Sequence, residues 1–406
     1  MAEPDVLIVG GGPAGAIAGL LLARAGARVA MFDRATFPRD KLCGDTVNPG
    51  TLARLRALGV AGEVESRGLR VDGMLLTGER GAAVEGRYPD GVWGRAILRR
   101  DLDWILLRHA VAAGCQLEPG VAVRRAVVEG SAKPRVVGVR ISRGGREISL
   151  SAPIVIAADG RHSTLAFSLG LARHPGRPRR WAIGAYFEHF ARPASDTSPT
   201  PVRYRADTPR IPQSTLGEMH VRRGRYIGVA PVPGGLTNVC VVKPSGPGDP
   251  SLADPGALLT RELTRDPRLR ARAAGARLVA APVVLGPLAV DAISAPIDGL
   301  LVAGDAAGFI DPMTGDGLRF AIRGAELAAA AALDTLAHGW PGVHARLAAA
   351  RAREFAGKWR FNRALRALVA SPRALDAATF GARVAPSVFR AVIAHAGDCA
   401  AAIERA

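Results

Sequence analysis

The chain opens on an unbroken apolar run, Val6-Leu7-Ile8-Val9, that leads into glycines and then an Ala/Leu-rich stretch over residues 14–25. A short apolar run bounded by glycine predicts a strand buried on both faces, and the Ala/Leu stretch predicts a helix. Residues 28–32 are apolar again and end at Asp33, which predicts a second strand. The runs at 154–158 and 299–303 have the same character and predict further parallel strands. Residues 121–150 read as a meander turning at Gly144-Gly145. Residues 70–97 are short, glycine-punctuated pieces, as in a small antiparallel excursion. Between 175 and 285, proline-rich loops at 192–213 and 243–256 flank strand-like pieces at 225–229 and 238–242, which predicts a separate sheet. Helices are predicted over 49–58, 99–113, 318–338 and 343–370, followed by a short helical tail. No internal repeat is present.

The first strand, helix and second strand give the spacing Gly10-x-Gly12-x-x-Gly15 its meaning. Gly10 allows a tight turn, Gly12 lets the backbone approach a pyrophosphate, and Gly15 lets the helix lie close on the sheet. The helix N-terminus offers free N–H groups and a positive dipole end. Asp33, about 20 residues past the glycines, is placed to accept from a ribose hydroxyl. The unit predicts dinucleotide binding.

Composition narrows the class. With 406 residues and 48% hydrophobic content, the chain can bury a large core in one large or two intimately joined domains. Cys43, Cys115, Cys240 and Cys399 are scattered, which predicts neither disulfides nor a metal site and fits a reducing, cytoplasmic location. The acidic start, Met-Ala-Glu-Pro-Asp, has no basic n-region, and no apolar stretch is long enough to predict a membrane span. The formal charge of +18 is almost all arginine, since lysine occurs only at 41, 133, 243 and 358. Such a charge accompanies a GC-rich genome, or attracts an anionic surface, substrate or carrier. Aromatics make up only 5%, with no basic run interleaved with them, so nucleic acid is not expected as a partner.

Two further motifs follow buried strands. One is Ala158-Asp159-Gly160. The other is Ala303-Gly304-Asp305, followed by Pro312-x-x-Gly315-x-Gly317 and a helix. In this order the chain resembles the FAD-dependent family that joins aromatic hydroxylases, flavin halogenases and geranylgeranyl reductases. The resemblance covers residues 1–175 and 285–335. It implies an α/β fold: a Rossmann-like FAD-binding domain (1–70, 95–175 and 285–340), interrupted by an antiparallel-sheet substrate domain (71–94 and 176–284), with C-terminal helices (341–406). It implies FAD as cofactor, held by Gly10, Gly12, Gly15 and Asp33 on the ADP side, with Pro13, Ala14, Arg34 and Val123 also among the cofactor-binding residues. Arg99, in an Arg-x-x-Leu-Asp pattern ending at Asp103, would contact the phosphate or ribityl region. Asp159, Gly160, Gly304 and Asp305 would follow, with Asp305 bonding the ribityl chain. Pro312, Gly315, Asp316, Gly317 and Leu318 would lie near the isoalloxazine ring. With one glycine-rich βαβ unit, NADPH or NADH would visit only transiently.

Pro38-x-x-x-x-Cys43-Gly44 is similar to the signature of the geranylgeranyl reductase branch. That resemblance implies hydride transfer from reduced FAD to a carbon–carbon double bond, with Cys43 and Gly44 over the flavin; Cys43 is a polar edge or a proton source there, with a water as the alternative acid. Arg39 and Lys41 in the same loop shape the local field or sit on a solvated surface. The branch's Tyr-x-Trp-x-Phe-Pro motif appears here as Tyr226-Ile227-Gly228-Val229-Ala230-Pro231, so Tyr226, Gly228 and Pro231 mark a pocket lacking two aromatic walls. The halogenase Trp-x-Trp-x-Ile-Pro motif is absent. A monooxygenase acting on an aromatic or polyketide substrate, and an electron-transfer flavoprotein with a quinone or protein partner, stay open beside the reductase. No His/Asp or paired-carboxylate constellation is visible to choose between them. The expected substrate is small and hydrophobic, free or presented on a carrier or a membrane. From 355 to 370 basic residues, including Lys358, Arg360, Arg363 and Arg366, interleave with Phe361, Leu365, Leu368 and Val369. This predicts a helix that caps the pocket with a solvated basic face, or one that touches the inner membrane face.

Overall fold

The structure, a computed structural model, describes residues 3–403 except 80, 82, 177–178, 193–214, 247, 294–295, 311–312, 314, 372–373, 375–376, 379–380 and 382–384. Val6–Val9 is 4% exposed or less throughout and occupies the middle of a parallel sheet. The order is Leu300–Val302, Ile154–Ala157, Val6–Val9, Val29–Asp33, Gln116–Pro119. Alternate residues of the central strand feed two cores. Val6 and Ile8 pack with the helices Pro13–Arg24, Arg99–Ala112 and Gly317–His338, while Leu7 and Val9 pack on the antiparallel strands Ala122–Glu129 and Arg135–Arg143. Gln116–Pro119 was not an expected strand: it is a half-exposed edge with no apolar run to mark it.

Two glycines set the spacing of the first unit. Gly10 has φ +102°, and a Cβ there would lie 2.6 Å from the Ala158 carbonyl oxygen. A Cβ on Gly15 would lie 1.8 Å from the Gly10 carbonyl oxygen, so only glycine lets this helix sit so near its strand.

The second sheet has ten strands among the described residues. Arg180–Glu188, Thr215–Arg222, Arg225–Val232 and Leu236–Pro244 form its centre, and Thr46–Val47, Leu69–Thr77, Ala83–Arg87 and Gly94–Ala96 extend it. It is antiparallel with one departure: Thr215–Arg222 runs parallel to Leu69–Thr77. Those strands come from separate excursions of the chain, so no hairpin dictates their relative direction. The expected loop at 192–213 lies outside the described residues beyond Arg192. One face of the sheet packs on the helix Pro255–Arg265 through Ile183, Ile227, Val229, Val239 and Val241. The other carries Ala182, Met219, Val221, Tyr226 and Val242, which pack towards Leu365 and Leu368 of the helix Val343–Ala370.

That last helix does not keep all its basic residues in solvent. Arg360 and Arg363 are exposed, but Lys358 is 3% exposed. Its ammonium donates to the carbonyls of His395 and Ala396, at 2.5 and 2.9 Å, and pairs with Asp316 at 3.2 Å. These acceptors come from distant segments, which is why helical spacing alone put Lys358 outside. Among the described residues, no helix is long and apolar enough to cross a membrane.

Gly15→Ala is expected to lower unfolding free energy by about 1–3 kcal/mol or more, because its methyl group meets backbone that cannot rotate away. Urea denaturation checks this; unchanged stability would contradict the close approach.

Candidate functional site

The first glycine turn, the Asp159-Gly160 and Gly304-Asp305 turns, and the inner face of the second sheet enclose one cavity of about 290 Å³. Of the residues proposed from sequence, Gly10, Gly12, Pro13, Ala14, Asp33, Cys43, Gly44, Arg99, Asp159, Gly160, Tyr226, Gly228, Gly304, Asp305, Gly315, Gly317 and Leu318 line it. Gly15 does not, being spent on the helix–strand approach. Arg34 is exposed, and Val123 is buried in the core opposite Ile141. Pro231 pairs with Thr237 at the end of its strand, outside the cavity lining. Pro312 lies outside the described residues. Asp316 turns away from the cavity, taking hydrogen bonds from Asn48 Nδ2 at 3.4 Å and Asn362 Nδ2 at 3.2 Å besides the Lys358 pair.

Asp33 closes the glycine turn. Its Oδ2 accepts from the Gly11 N–H at 2.7 Å and its Oδ1 from the Ala35 N–H at 2.8 Å. The helix Pro13–Arg24 starts without a capping side chain, so its first N–H groups are left for a ligand. Arg99 is buried and grips Asp103 with two bonds of 2.8 and 3.0 Å; Arg39 adds a third contact to Asp103 at 3.3 Å. Burial works against the Arg99 charge, but Asp103 and the Cys43 thiol hold its pKa above the ordinary arginine value. Lys41 also lines the cavity, its pKa lowered by burial and then by Arg99.

Sequence reading missed Asp45. It is 1% exposed and sits at φ +51° directly after Gly44. Its carboxylate accepts from the Arg99 N–H at 3.1 Å, the Tyr186 hydroxyl at 2.7 Å and Asn238 Nδ2 at 2.5 Å. Asn238 also donates to the Cys43 carbonyl, and Leu42 packs on Gly184. The loop carrying Cys43 is therefore pinned to the second sheet and to the start of the Arg99–Ala112 helix. Burial, opposed by the Tyr186 and Asn238 hydrogen bonds, raises the Asp45 pKa to about 6.

A His/carboxylate constellation exists that the sequence did not reveal. Glu218 Oε2 meets His220 Nε2 at 2.9 Å, His220 Nδ1 meets Thr77 Oγ1 at 2.8 Å, and Arg272 grips Glu218 with two bonds of 2.7 Å. Burial opposes the Glu218 charge, yet the His220 and Arg272 hydrogen bonds bring its pKa below the usual value. Glu218 and His220 pair with Val229 and Ile227, whose side chains belong to the face packed on the Pro255–Arg265 helix. Glu218 nevertheless borders the cavity, whereas His220, Thr77 and Arg272 do not, so the cluster ties one cavity-lining carboxylate into the interior of the sheet. The only signal for it was a Glu-x-His spacing within a buried strand.

The cavity's unmet polar atoms test its fit to FAD. Asp159 and Arg161 both line it, and each leaves one buried atom, Oδ1 and Nε, without a protein partner. A polyol hydroxyl and a phosphate oxygen are the complementary groups. Together with the uncapped helix and the glycine turn, these atoms fit FAD. Among the described residues, no group of three or more His, Cys, Asp and Glu side chains is arranged to hold a metal.

Known proteins agree with that fit. Residues 3–201 match the family described as FAD binding domain. A menaquinone reductase of Mycobacterium tuberculosis is 35% identical over 184 residues, a match spanning 44% of this chain and 40% of that protein. Digeranylgeranylglycerophospholipid reductase 1 of Methanopyrus kandleri is 28% identical over 345 residues, 82% of this chain and 81% of that one. The flavin-dependent brominase Bmp2 shares the fold at a TM-score of 0.81 and 20% identity, over 98% of this chain and 94% of that one. Over residues 3–201 the chain carries an FAD-binding domain, and it is similar to FAD-dependent oxidoreductases, geranylgeranyl reductase-like proteins among them.

Arg161→Leu removes one charge-assisted bond and should weaken FAD binding about 10–100-fold, measured by fluorescence titration of apoprotein. Unchanged affinity would contradict the assignment of the orphaned nitrogen. Asp45 gives a pH prediction. Its folded pKa of about 6 lies above the ordinary 3.8, so the native state binds the extra proton. The stability it contributes is full below pH 3.8 and is lost as pH rises through about 6. Asp45→Asn should gain on the parent by up to about 3 kcal/mol as pH rises across that window. Urea denaturation over a pH series measures the difference; a flat one would refute the shift.

Proposed function

We propose that the protein is an FAD-dependent reductase that adds hydrogen across a carbon–carbon double bond in an apolar, chain-bearing molecule, with NADPH or NADH as transient reductant. One observation carries this reading. Against the cofactor cavity lies a second cavity of about 530 Å³, lined among the described residues by no polar or charged side chain. Val84, Phe361, Leu365, Leu368, Phe389 and Ile393 are among its walls. An apolar chain is the ligand such a space recovers hydrophobic free energy from. Two of the relatives above are reductases by name, which supports reduction over halogenation.

The chain's own residues divide the work. The N-terminus of the Pro13–Arg24 helix and Arg161 hold the pyrophosphate, Asp33 the ribose, and Asp159 and Asp305 the polyol hydroxyls. When bound and reduced, FAD supplies a hydride. The protein must then supply the second hydrogen as a proton to the other alkene carbon. Cys43 is the proposed donor: it lines the cavity, and its thiol interacts with the buried Arg99 guanidinium. Its carbonyl is held by Asn238, which fixes the loop. Gly228 and Ala230, in place of large aromatics, leave the wall beside Tyr226 open; a Cβ on Gly228 would meet nothing closer than 3.9 Å.

Anaerobic mixing of the reduced holoprotein with apolar alkenes should reoxidise the flavin and yield a product with two added hydrogens. Cys43→Ala should slow that reoxidation about 100-fold and leave reduction by NADPH or NADH unchanged. An oxygen-dependent hydroxylated product, with no alkene reduction, would refute the proposal.

A further inference from the structure

The two cavities share three side chains, Met74, Met219 and Met313. The chain contains five methionines: Met1, Met31 in the core of the parallel sheet, and these three. Met219 is 8% exposed and Met313 4%. Met74 and Met219 stand on adjacent strands of the cavity face, and each has a glycine as its partner on a neighbouring strand. Met74 registers with Gly217, and Met219 with Gly228. A Cβ on either glycine would meet nothing closer than 3.9 Å, so open space lies beside each methionine. Methionine has three rotatable bonds and no branch, and moves among rotamers at little cost. A wall meant to be permanent is better built from branched or aromatic side chains, whose rotamers are few.

Resting on the apolar-substrate reading above, we propose that Met74, Met219 and Met313 form a movable partition between an apolar-chain site and the cofactor. In the conformation described here the side chains stand between the cavities. Folded into the spaces over Gly217 and Gly228, the two sheet methionines join the cavities into one channel. The end of an unbranched or isoprenoid chain then reaches the cofactor while its remainder stays between the C-terminal helices. Without a chain, the partition shields the cofactor from the apolar site. The partition therefore sets which chains are admitted, and the glycines are as necessary to it as the methionines.

The test uses FAD-loaded protein and the neutral probes octan-1-ol, dodecan-1-ol and hexadecan-1-ol. Calorimetry reports binding anywhere, whereas a change in the visible flavin spectrum reports arrival at the cofactor. The parent protein should show both for the longer alcohols. Gly228→Val fills the space that Met219 needs. It should weaken the flavin-detected affinity about tenfold and leave calorimetric binding largely intact. Met219→Ala opens the partition and should tighten the flavin-detected affinity, including that of octan-1-ol. Calorimetric binding with no flavin response in the parent or in Met219→Ala would overturn the partition. So would an unaltered flavin response in Gly228→Val. Absence of calorimetric binding in every variant would overturn the apolar-substrate reading itself.

Discussion

The buried carboxylate of Asp45 is the joint on which the two halves of the molecule depend. It binds the first N–H of the Arg99–Ala112 helix on one side and Tyr186 and Asn238 of the second sheet on the other. Each donor would be costly to bury unpaired. The joint thus fixes the cavity's width and, one residue earlier, the path of the Cys43-Gly44 loop. The chain tolerates a non-glycine residue at positive φ to make it.

Charge in the cavity is arranged by the same logic. Arg39 and Arg99 both direct their guanidinium groups at Asp103, which is fully buried and would be untenable alone. Arg161 instead keeps a buried donor unmet on the cavity side. The difference between satisfied and unsatisfied cations separates residues that build the site from those that hold a ligand.

Much of this was legible in the sequence because its signals are local. Gly10, Gly12 and Gly15 follow an apolar strand at fixed offsets, and the runs ending at Asp159 and Asp305 carry the same burial pattern. What was hidden depends on distant partners. Asp45 looks like any loop acid until Tyr186 and Asn238 are beside it. Lys358 reads as solvated until Asp316 and the carbonyls near residue 396 are found around it. Glu218 and His220 form a dyad whose direction is set by strand alternation, which depends on a register the sequence does not declare. The methionine partition needs two strand registers and a loop at once.

The Asp316–Lys358 pair also bears on the order in which the protein is made. Asp316 lies between Gly315 and Gly317 at the cofactor cavity, and its carboxylate is satisfied by Asn48, Asn362 and Lys358. Two of those partners belong to the Val343–Ala370 helix, and Lys358 is completed by carbonyls at 395 and 396. During synthesis the loop around Asp316 acquires these buried partners only after residues 358–396 have emerged. Contacts of such long sequence separation form slowly. A chain truncated before these helices would leave the Asp316 carboxylate without Asn362 and Lys358.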